Sequence, residues 1–156
     1  PEGVFARLFN QREGSVTDDS FDLKLIYPDL NVTLKAGVFV KEPGPRLQVH
    51  GMHGSFVKYG LDAQEAQLRK GKKPGSKGFG TEPASQRGVL NTTTFGKSFR
   101  GLYETLPGNY MAFFDKVHAV ITTAAEAIVK PGDALLNIRI IEAARTSNSQ
   151  QRIIQI

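Results

Sequence analysis

The sequence predicts an α+β domain, an open-faced, mostly antiparallel β-sheet of about six strands with two C-terminal helices packed on one face. In the first sixty residues apolar and polar side chains alternate with the period of two that is typical of strands. Short connections join these stretches, which favours antiparallel pairing. After residue 108, two stretches repeat apolar residues at helical spacing instead. With 156 residues, 40% of them hydrophobic, the chain has the size and composition of one domain.

The strands are predicted from alternation and from the turns that bound them. Every second residue of 21–27 is Phe, Leu or Tyr, and every second residue of 32–38 is Val, Leu or Ala. A Pro-Asp turn at residues 28–29 joins these two strands, and Pro-Gly-Pro at residues 43–45 follows the second one. Further strands are predicted at residues 4–10, 46–50, 55–59, 89–95 and 98–106, the last two forming a hairpin that turns at Gly96-Lys97, with a short edge strand at residues 151–156.

A short helix is predicted after the fifth strand. Asp62 is a suitable N-cap, and Glu65 occupies the capping-box position three residues later. The helix is expected to end near Gly71. Residues 71–88 follow as a loop rich in Gly, Pro and Ser, longer than most ordered connections, and loops of this length are often functional or mobile.

Two helices are predicted in the last third of the chain. Asn109 is the expected N-cap of the first, whose apolar residues form one stripe from Tyr110 to Ile121. Pro131 and Asp133 suit the first turn of the second helix. That helix is apolar on more than one side, which is typical of a helix lying between a sheet and another helix.

The predicted sheet keeps apolar residues on the face that the helices leave open. Ile26, Val38, Val40 and Val57 are assigned to this face. An antiparallel sheet covered on one side by its own helices often buries its second face against another subunit. We therefore expect this open sheet face to make the chain dimeric in solution.

The charge of the chain is concentrated in one segment. The net charge is +5, and the densest basic run is RKGKKPGSK at residues 69–77. A solvated loop after a helix is the favoured interpretation, while a nucleic acid or a small anionic ligand remains an alternative for these residues. The chain has no cysteine, which is compatible with a cytoplasmic protein, and it has no apolar run long enough to span a membrane.

No complete catalytic or metal-binding set is evident in the residues. His50 and His53 have a metal-like spacing but lack a third ligand, and Asp115 and His118 lie on different parts of their helix. The Gly-Phe-Gly segment at residues 78–80 lacks the third glycine and the strand–helix context of a dinucleotide-binding loop. We therefore assign no catalytic, cofactor-binding or metal-binding residue to this chain.

One pattern in the sequence is distinctive. It consists of GSFVKYGLDAQE at residues 54–65, GTEP at residues 80–83, PGNY at residues 107–110, and a final helix containing IRIIE at residues 138–142. In this order and spacing it resembles the C-terminal domain of the Gfo/Idh/MocA oxidoreductases, over nearly the whole chain. Phe79 stands where relatives often have tryptophan.

The resemblance implies that residues 1–156 are the substrate-shaping and oligomerisation domain of a two-domain enzyme. An N-terminal Rossmann domain, absent from this chain, would bind NAD or NADP, and the full-length protein would transfer hydride at a sugar or inositol carbon. The chain alone would be inactive. Lys58, Tyr59, Asn109 and Tyr110 are the candidate substrate-binding residues. The alternatives are a non-catalytic assembly domain and a basic nucleic-acid-binding domain, of which the second is the less favoured.

Overall fold

The computed structural model describes all residues 1–156 and consists of eight strands, three α-helices and a 3-10 turn at residues 84–86. The α+β class is confirmed. In chain order the elements are β1 (Gly3–Phe9), β2 (Ser20–Ile26), β3 (Asn31–Ala36), β4 (Leu47–Gly51), β5 (Gly54–Lys58), α1 (Ala63–Arg69), β6 (Gly88–Thr94), β7 (Lys97–Tyr103), α2 (Met111–Thr123), α3 (Pro131–Gln150) and β8 (Ile154–Gln155).

The strands form two antiparallel sheets of four strands each, whereas the sequence predicted one sheet of about six. The first sheet has the order β3-β2-β1-β8 and the second the order β4-β5-β6-β7. Residues 37–46 separate β3 from β4 and contain two prolines, which cannot donate to a strand ladder. The chain accordingly divides into two compact units, residues 1–42 with 128–156, and residues 43–127.

The first unit has a small core between its sheet and α3. Alternate residues of β1 and β2 face the helix, where two alanines allow close approach to the strands. Leu8 and Tyr27 extend this core at its margin. Its buried members are Val4, Ala6, Leu23, Leu25, Ala143 and Ala144.

Side chains of α3 complete the edge of β1 where β8 is too short to do so. The strand β8 pairs only with Gly3 and Val4. Further along β1, the Ala6 N–H donates to Ser147 Oγ at 3.0 Å and the Leu8 N–H donates to Asn148 Oδ1 at 3.0 Å. Ser147 is fully buried, and its hydroxyl donates in turn to the Arg152 carbonyl. The helix therefore supplies the hydrogen bonds that a longer strand would otherwise provide.

The helix α2 does not pack on the sheet of its own unit, contrary to the prediction that both late helices cover one face of one sheet. It belongs to the second unit and has no buried residue. Its predicted apolar stripe is present but exposed, with Phe113 at 62%, Phe114 at 60% and Ile121 at 76% exposure. Periodicity identifies an apolar stripe but not the surface that covers it.

The apolar residues assigned to one open face are also divided. Ile26 lies in the first sheet and Val57 in the second, while Val38 and Val40 follow the end of β3 and belong to no strand. No helix combines the length with the apolar composition that a membrane span requires.

The hairpin of β6 and β7 turns one residue earlier than predicted. Phe95 and Gly96 form its two-residue connection, and both have positive φ, at 51° and 72°. This is the backbone that a type I′ hairpin turn requires, and Asn-Gly is its favoured sequence. Phe95 is 99% exposed, so its ring gains nothing from packing in return for this conformation.

Candidate functional site

An ion pair at the end of β5 joins three segments of the second unit. Lys58 Nζ lies 2.6 Å from Glu82 Oε2 and also donates to the Gln86 carbonyl at 2.9 Å and to Thr105 Oγ1 at 3.3 Å. The side chains of Lys58 and Glu82 are 15% and 9% exposed. All three ammonium donors are therefore used within the chain, and they tie β5 to the loops around residues 82–86 and 105.

The carboxyl of Glu82 stays ionised because its partners outweigh its burial. Burial raises the pKa of Glu82, but the hydrogen bond and charge of Lys58, the Thr105 hydroxyl and the charge of Arg87 lower it further, so the pKa lies below its usual value. The second carboxylate oxygen, Oε1, is buried and makes no hydrogen bond. The Thr105 hydroxyl lowers the pKa of Glu82 but does not satisfy this oxygen. The pair is thus a charged cross-link with one unsatisfied acceptor.

Gln64, on the first turn of α1, holds the segment that precedes α2. Asp62 caps this helix as predicted, although it accepts from the N–H two residues on, and Glu65 pairs with Arg69 rather than closing a capping box. Gln64 is 1% exposed, donates from Nε2 to Asp62 Oδ1 at 3.0 Å and accepts from the Tyr110 N–H at 2.7 Å. A buried amide therefore fixes the backbone at Tyr110.

One turn later on α1, Gln67 holds a different segment. Its Oε1 accepts from the Gly80 N–H at 2.7 Å, and its Nε2 donates to the Thr81 carbonyl at 3.1 Å. Residues three apart on a helix lie on the same face. The two glutamines consequently act together, and we call Gln64, Gln67 and the backbone segments that they bind the glutamine clamp.

The two clamped segments touch each other through glycines. The Gly108 N–H donates to the Gly80 carbonyl at 3.0 Å. A Cβ at Gly80 would overlap the Gly108 carbonyl, and a Cβ at Gly108 would overlap the side chains of Asp62 and Gln64. Only glycine permits this approach at both positions, so the GTEP and PGNY motifs meet as backbone against backbone.

The structure places all four predicted substrate-binding residues in this part of the second unit. Lys58 is committed to its ion pair. The N-cap of α2 is Tyr110 rather than the predicted Asn109, and Asn109 Oδ1 accepts from the Ala112 N–H at 3.2 Å at the start of the helix. Tyr59 is 59% exposed and Tyr110 is 41% exposed, and neither hydroxyl makes a hydrogen bond within the chain. The tyrosines are therefore the members whose polar groups are free to meet a ligand. The substrate-binding role of all four residues stays a prediction.

Sequence reasoning missed the residues that hold this site together, namely Glu82, Gln64, Gln67 and the two facing glycines. Each of them except Gln67 stands inside one of the motifs quoted above, so the signal was present. What the sequence lacked was the pairing of those motifs in space.

A wide concavity lies elsewhere, on the open face of the first sheet. It encloses about 500 Å³ and includes a row of charges in register across β1, β2 and β3, formed by Arg7, Asp22 and Lys35. Asp22 and Lys35 form an ion pair at 3.1 Å. None of the four predicted residues lines this concavity, and its wide opening encloses a ligand poorly. We therefore base the functional assignment on the glutamine clamp.

Comparison with known proteins decides the family. The family described as "Oxidoreductase family, C-terminal alpha/beta domain", of the Gfo/Idh/MocA group, matches residues 4–156. The chain belongs to the Gfo/Idh/MocA oxidoreductase family. The resemblance drawn from the sequence motifs is thereby confirmed over almost the entire chain.

Relatives of this Gfo/Idh/MocA domain agree in sequence and in structure. Scyllo-inositol 2-dehydrogenase (NADP⁺) IolW of Bacillus subtilis is 35% identical over 156 residues, which are 100% of this chain and 44% of that protein. The structure of yvaA from Bacillus subtilis matches 100% of this chain and 46% of its own at a TM-score of 0.94 and 35% identity. An oxidoreductase from Bacillus cereus matches 100% of this chain and 46% of its own at a TM-score of 0.89 and 32% identity. The chain therefore spans less than half the length of these relatives.

Proposed function

We propose that this chain is the substrate-shaping domain of an NAD(P)-dependent oxidoreductase that transfers hydride at a carbon of a sugar or polyol. Family membership supports the reaction class, and the relative named as a scyllo-inositol dehydrogenase supports a polyol substrate. The observation that carries the proposal is the glutamine clamp, in which Gln64 fixes the backbone at Tyr110 and Gln67 fixes the neighbouring segment at Gly80. A rigid segment with free tyrosine hydroxyls suits the positioning of a hydroxylated substrate.

In this proposal the cofactor is NAD or NADP, held by an N-terminal Rossmann domain that this chain does not include. The residues present do not fit a dinucleotide. Gly78 and Gly80 lie in consecutive turns with positive φ, not between a strand and a helix, so they form no phosphate-binding loop. The hydride chemistry would come from the nicotinamide. This chain would bind and orient the substrate, and alone it would be inactive.

The experiment compares tyrosine variants in the full-length protein. Tyr59→Phe and Tyr110→Phe remove only hydroxyls that have no partner in the chain, so stability should change little. We expect the KM for the polyol to rise severalfold in one or both, with an unchanged KM for NAD(P). Tyr27→Phe, in the first unit, is the matched control. Full-length protein without turnover of any inositol or sugar in a broad panel would refute the enzymatic proposal, and equal KM values in all three variants would refute the role of the tyrosines.

We also propose that the domain assembles with a second copy of itself through surface that is exposed in the isolated chain. The chain exposes 12247 Å², whereas one globule of 17.1 kDa exposes about 7,800 Å² and two separate globules of the units' sizes about 9,300 Å². The excess of at least about 2,900 Å² exceeds the roughly 800 Å² that each partner buries in a standard interface. That surplus leaves room for packing against both a cofactor domain and a second subunit.

Assembly is tested by sedimentation of the full-length protein at micromolar concentration. A homodimer or homotetramer is expected in this measurement. In the proposal the protein is cytoplasmic and binds no membrane. A monomer would contradict the assembly proposal and would leave the enzymatic proposal unaffected. A stable oligomer that binds neither NAD nor NADP would instead favour the non-catalytic assembly domain.

A further inference from the structure

The loop after α1 carries the strongest uncompensated charge next to the clamp. We call residues 70–77 the basic loop, and its cations are Lys70, Lys72, Lys73 and Lys77. None of the four makes an ion pair, whereas the preceding Arg69 is neutralised by Glu65 at 2.8 Å. No aspartate or glutamate occurs between residues 66 and 81. Four positive charges within eight residues therefore remain available to an anion.

The basic loop is held by its own hydrogen bonds. It leaves α1 through a Schellman motif, in which the Lys72 and Gly71 N–H groups donate to the Gln67 and Leu68 carbonyls at 3.0 and 2.8 Å. The Ser76 hydroxyl then donates to the Lys73 carbonyl, and the Phe79 N–H donates to Ser76. Ordered turns of this kind fix the backbone from which the four lysines project, so their charges stay on one short segment of the chain.

The end of the basic loop is fixed directly against the candidate substrate segment. Gln67 binds Gly80, and Gly80 accepts from the N–H of Gly108, which immediately precedes Asn109. The ammonium of Lys72 turns back toward this end and lies 3.5 Å from where a Cβ of Gly78 would be. Positive charge beside a substrate cleft raises the local concentration of anionic ligands, over a range of about 8–10 Å at physiological salt.

We infer that the basic loop gives this enzyme a preference for anionic sugar or polyol derivatives, bearing a phosphomonoester or a carboxylate, over their neutral counterparts. The inference rests on the proposed role of the segment around Asn109 and Tyr110. Unpaired lysines act as point charges and make no bidentate fork, so they fit selection by net charge rather than by a single geometry. The shared chemistry is an anion, carried either by the substrate or by the 2′-phosphate of NADP.

The test uses full-length protein with matched substrate pairs, glucose with glucose 6-phosphate and glucose with glucuronate. We expect kcat/KM to favour the anionic member at least tenfold at low salt and the preference to shrink as salt rises. The triple variant Lys72→Ser/Lys73→Ser/Lys77→Ser should lose the preference while activity on the neutral member persists. The control triple Lys41→Ser/Lys97→Ser/Lys116→Ser, which removes three exposed lysines without ion pairs, should retain it.

Two further measurements keep this inference separable from the proposed function. Calorimetric binding of glucose 6-phosphate needs no turnover, and it should weaken at least tenfold in the basic-loop variant alone. If that variant binds it as tightly as the parent, or if neither binds it, the inference is overturned whatever the activity. If the basic-loop variant only raises the KM for NADP, with the KM for NAD and the substrate preference unchanged, the lysines serve the 2′-phosphate of the cofactor. That result also overturns the inference.

Discussion

The contact between Gly80 and Gly108 can be tested with an internal control. Gly80→Ala adds a Cβ where the Gly108 carbonyl lies, at a backbone φ of +77°. Gly75→Ala adds a Cβ at the same φ of +77°, in the same loop, with no atom within 4 Å. The two substitutions therefore share the cost of a left-handed alanine and differ only in the steric overlap.

The magnitudes follow from these differences. A left-handed alanine costs about 1–2 kcal/mol, and replacing glycine returns about 0.4–1 kcal/mol by restricting the unfolded chain. Gly75→Ala should thus destabilise by about 1 kcal/mol. Gly80→Ala must also separate the two segments, which removes the Gly108–Gly80 hydrogen bond and strains the Gln67–Gly80 bond, at about 1 kcal/mol each. Its total is about 3 kcal/mol.

Hydrogen exchange of the full-length protein measures these destabilisation free energies at individual backbone amides. The Gly108 and Tyr110 amides donate into the clamp, so their protection reports its opening. We expect Gly80→Ala to lower their protection by about a hundredfold, and Gly75→Ala by less than tenfold. Equal protection in the two variants would show that the glycines do not hold the segments together, and the structural basis of the proposed site would fail with it.

Three other predictions concern separate parts of the chain. Ser147→Ala leaves the buried Ala6 N–H without an acceptor and should destabilise the first unit by about 1–3 kcal/mol, measured by exchange in β1; an equal effect of Ser149→Ala, an exposed serine, would contradict this. Phe95→Asn should stabilise the β6–β7 hairpin by about 1 kcal/mol, seen as roughly fivefold slower exchange, and unchanged exchange would refute the turn assignment. Because the folded pKa of Glu82 lies below the usual value of about 4.3, its stabilisation is complete above that value and is lost as pH falls through the lower folded pKa. Thermal unfolding of Glu82→Gln should therefore depend less on pH than that of the parent as the pH falls below about 4.3, and parallel profiles would contradict the charged pair.

The strands were predictable from the sequence because their signals are local. Alternation placed β1 and β2 within one residue of their observed ends, at Gly3–Phe9 and Ser20–Ile26. The grouping of strands into two sheets was not predictable, since it depends on which edges meet after residues 37–46. The same limit applies to α2, where the periodicity correctly identified a helix and its stripe but could not identify a packing partner.

The candidate site was predictable in position but not in mechanism. Resemblance drew attention to Lys58, Asn109 and Tyr110, and the structure brings their segments together. The resemblance predicts that their side chains bind substrate, yet Lys58 and Asn109 use their polar atoms within the chain. A sequence motif does not distinguish a residue that touches substrate from one that holds the backbone beside it. Only hydrogen-bond partners can separate these roles.

That distinction changes how the most specific motif is interpreted. In residues 54–65 Lys58 binds Glu82, Asp62 accepts from Gln64 within the motif, and Gln64 also accepts from Tyr110. The hydroxyl of Tyr59 makes no hydrogen bond within the chain. A motif whose members satisfy one another serves geometry, and its substitution should affect substrate KM and local protection together. Substitution of a free hydroxyl should affect KM alone. The pattern of coupled and uncoupled effects across these positions therefore separates the scaffold of the site from the surface that meets the substrate.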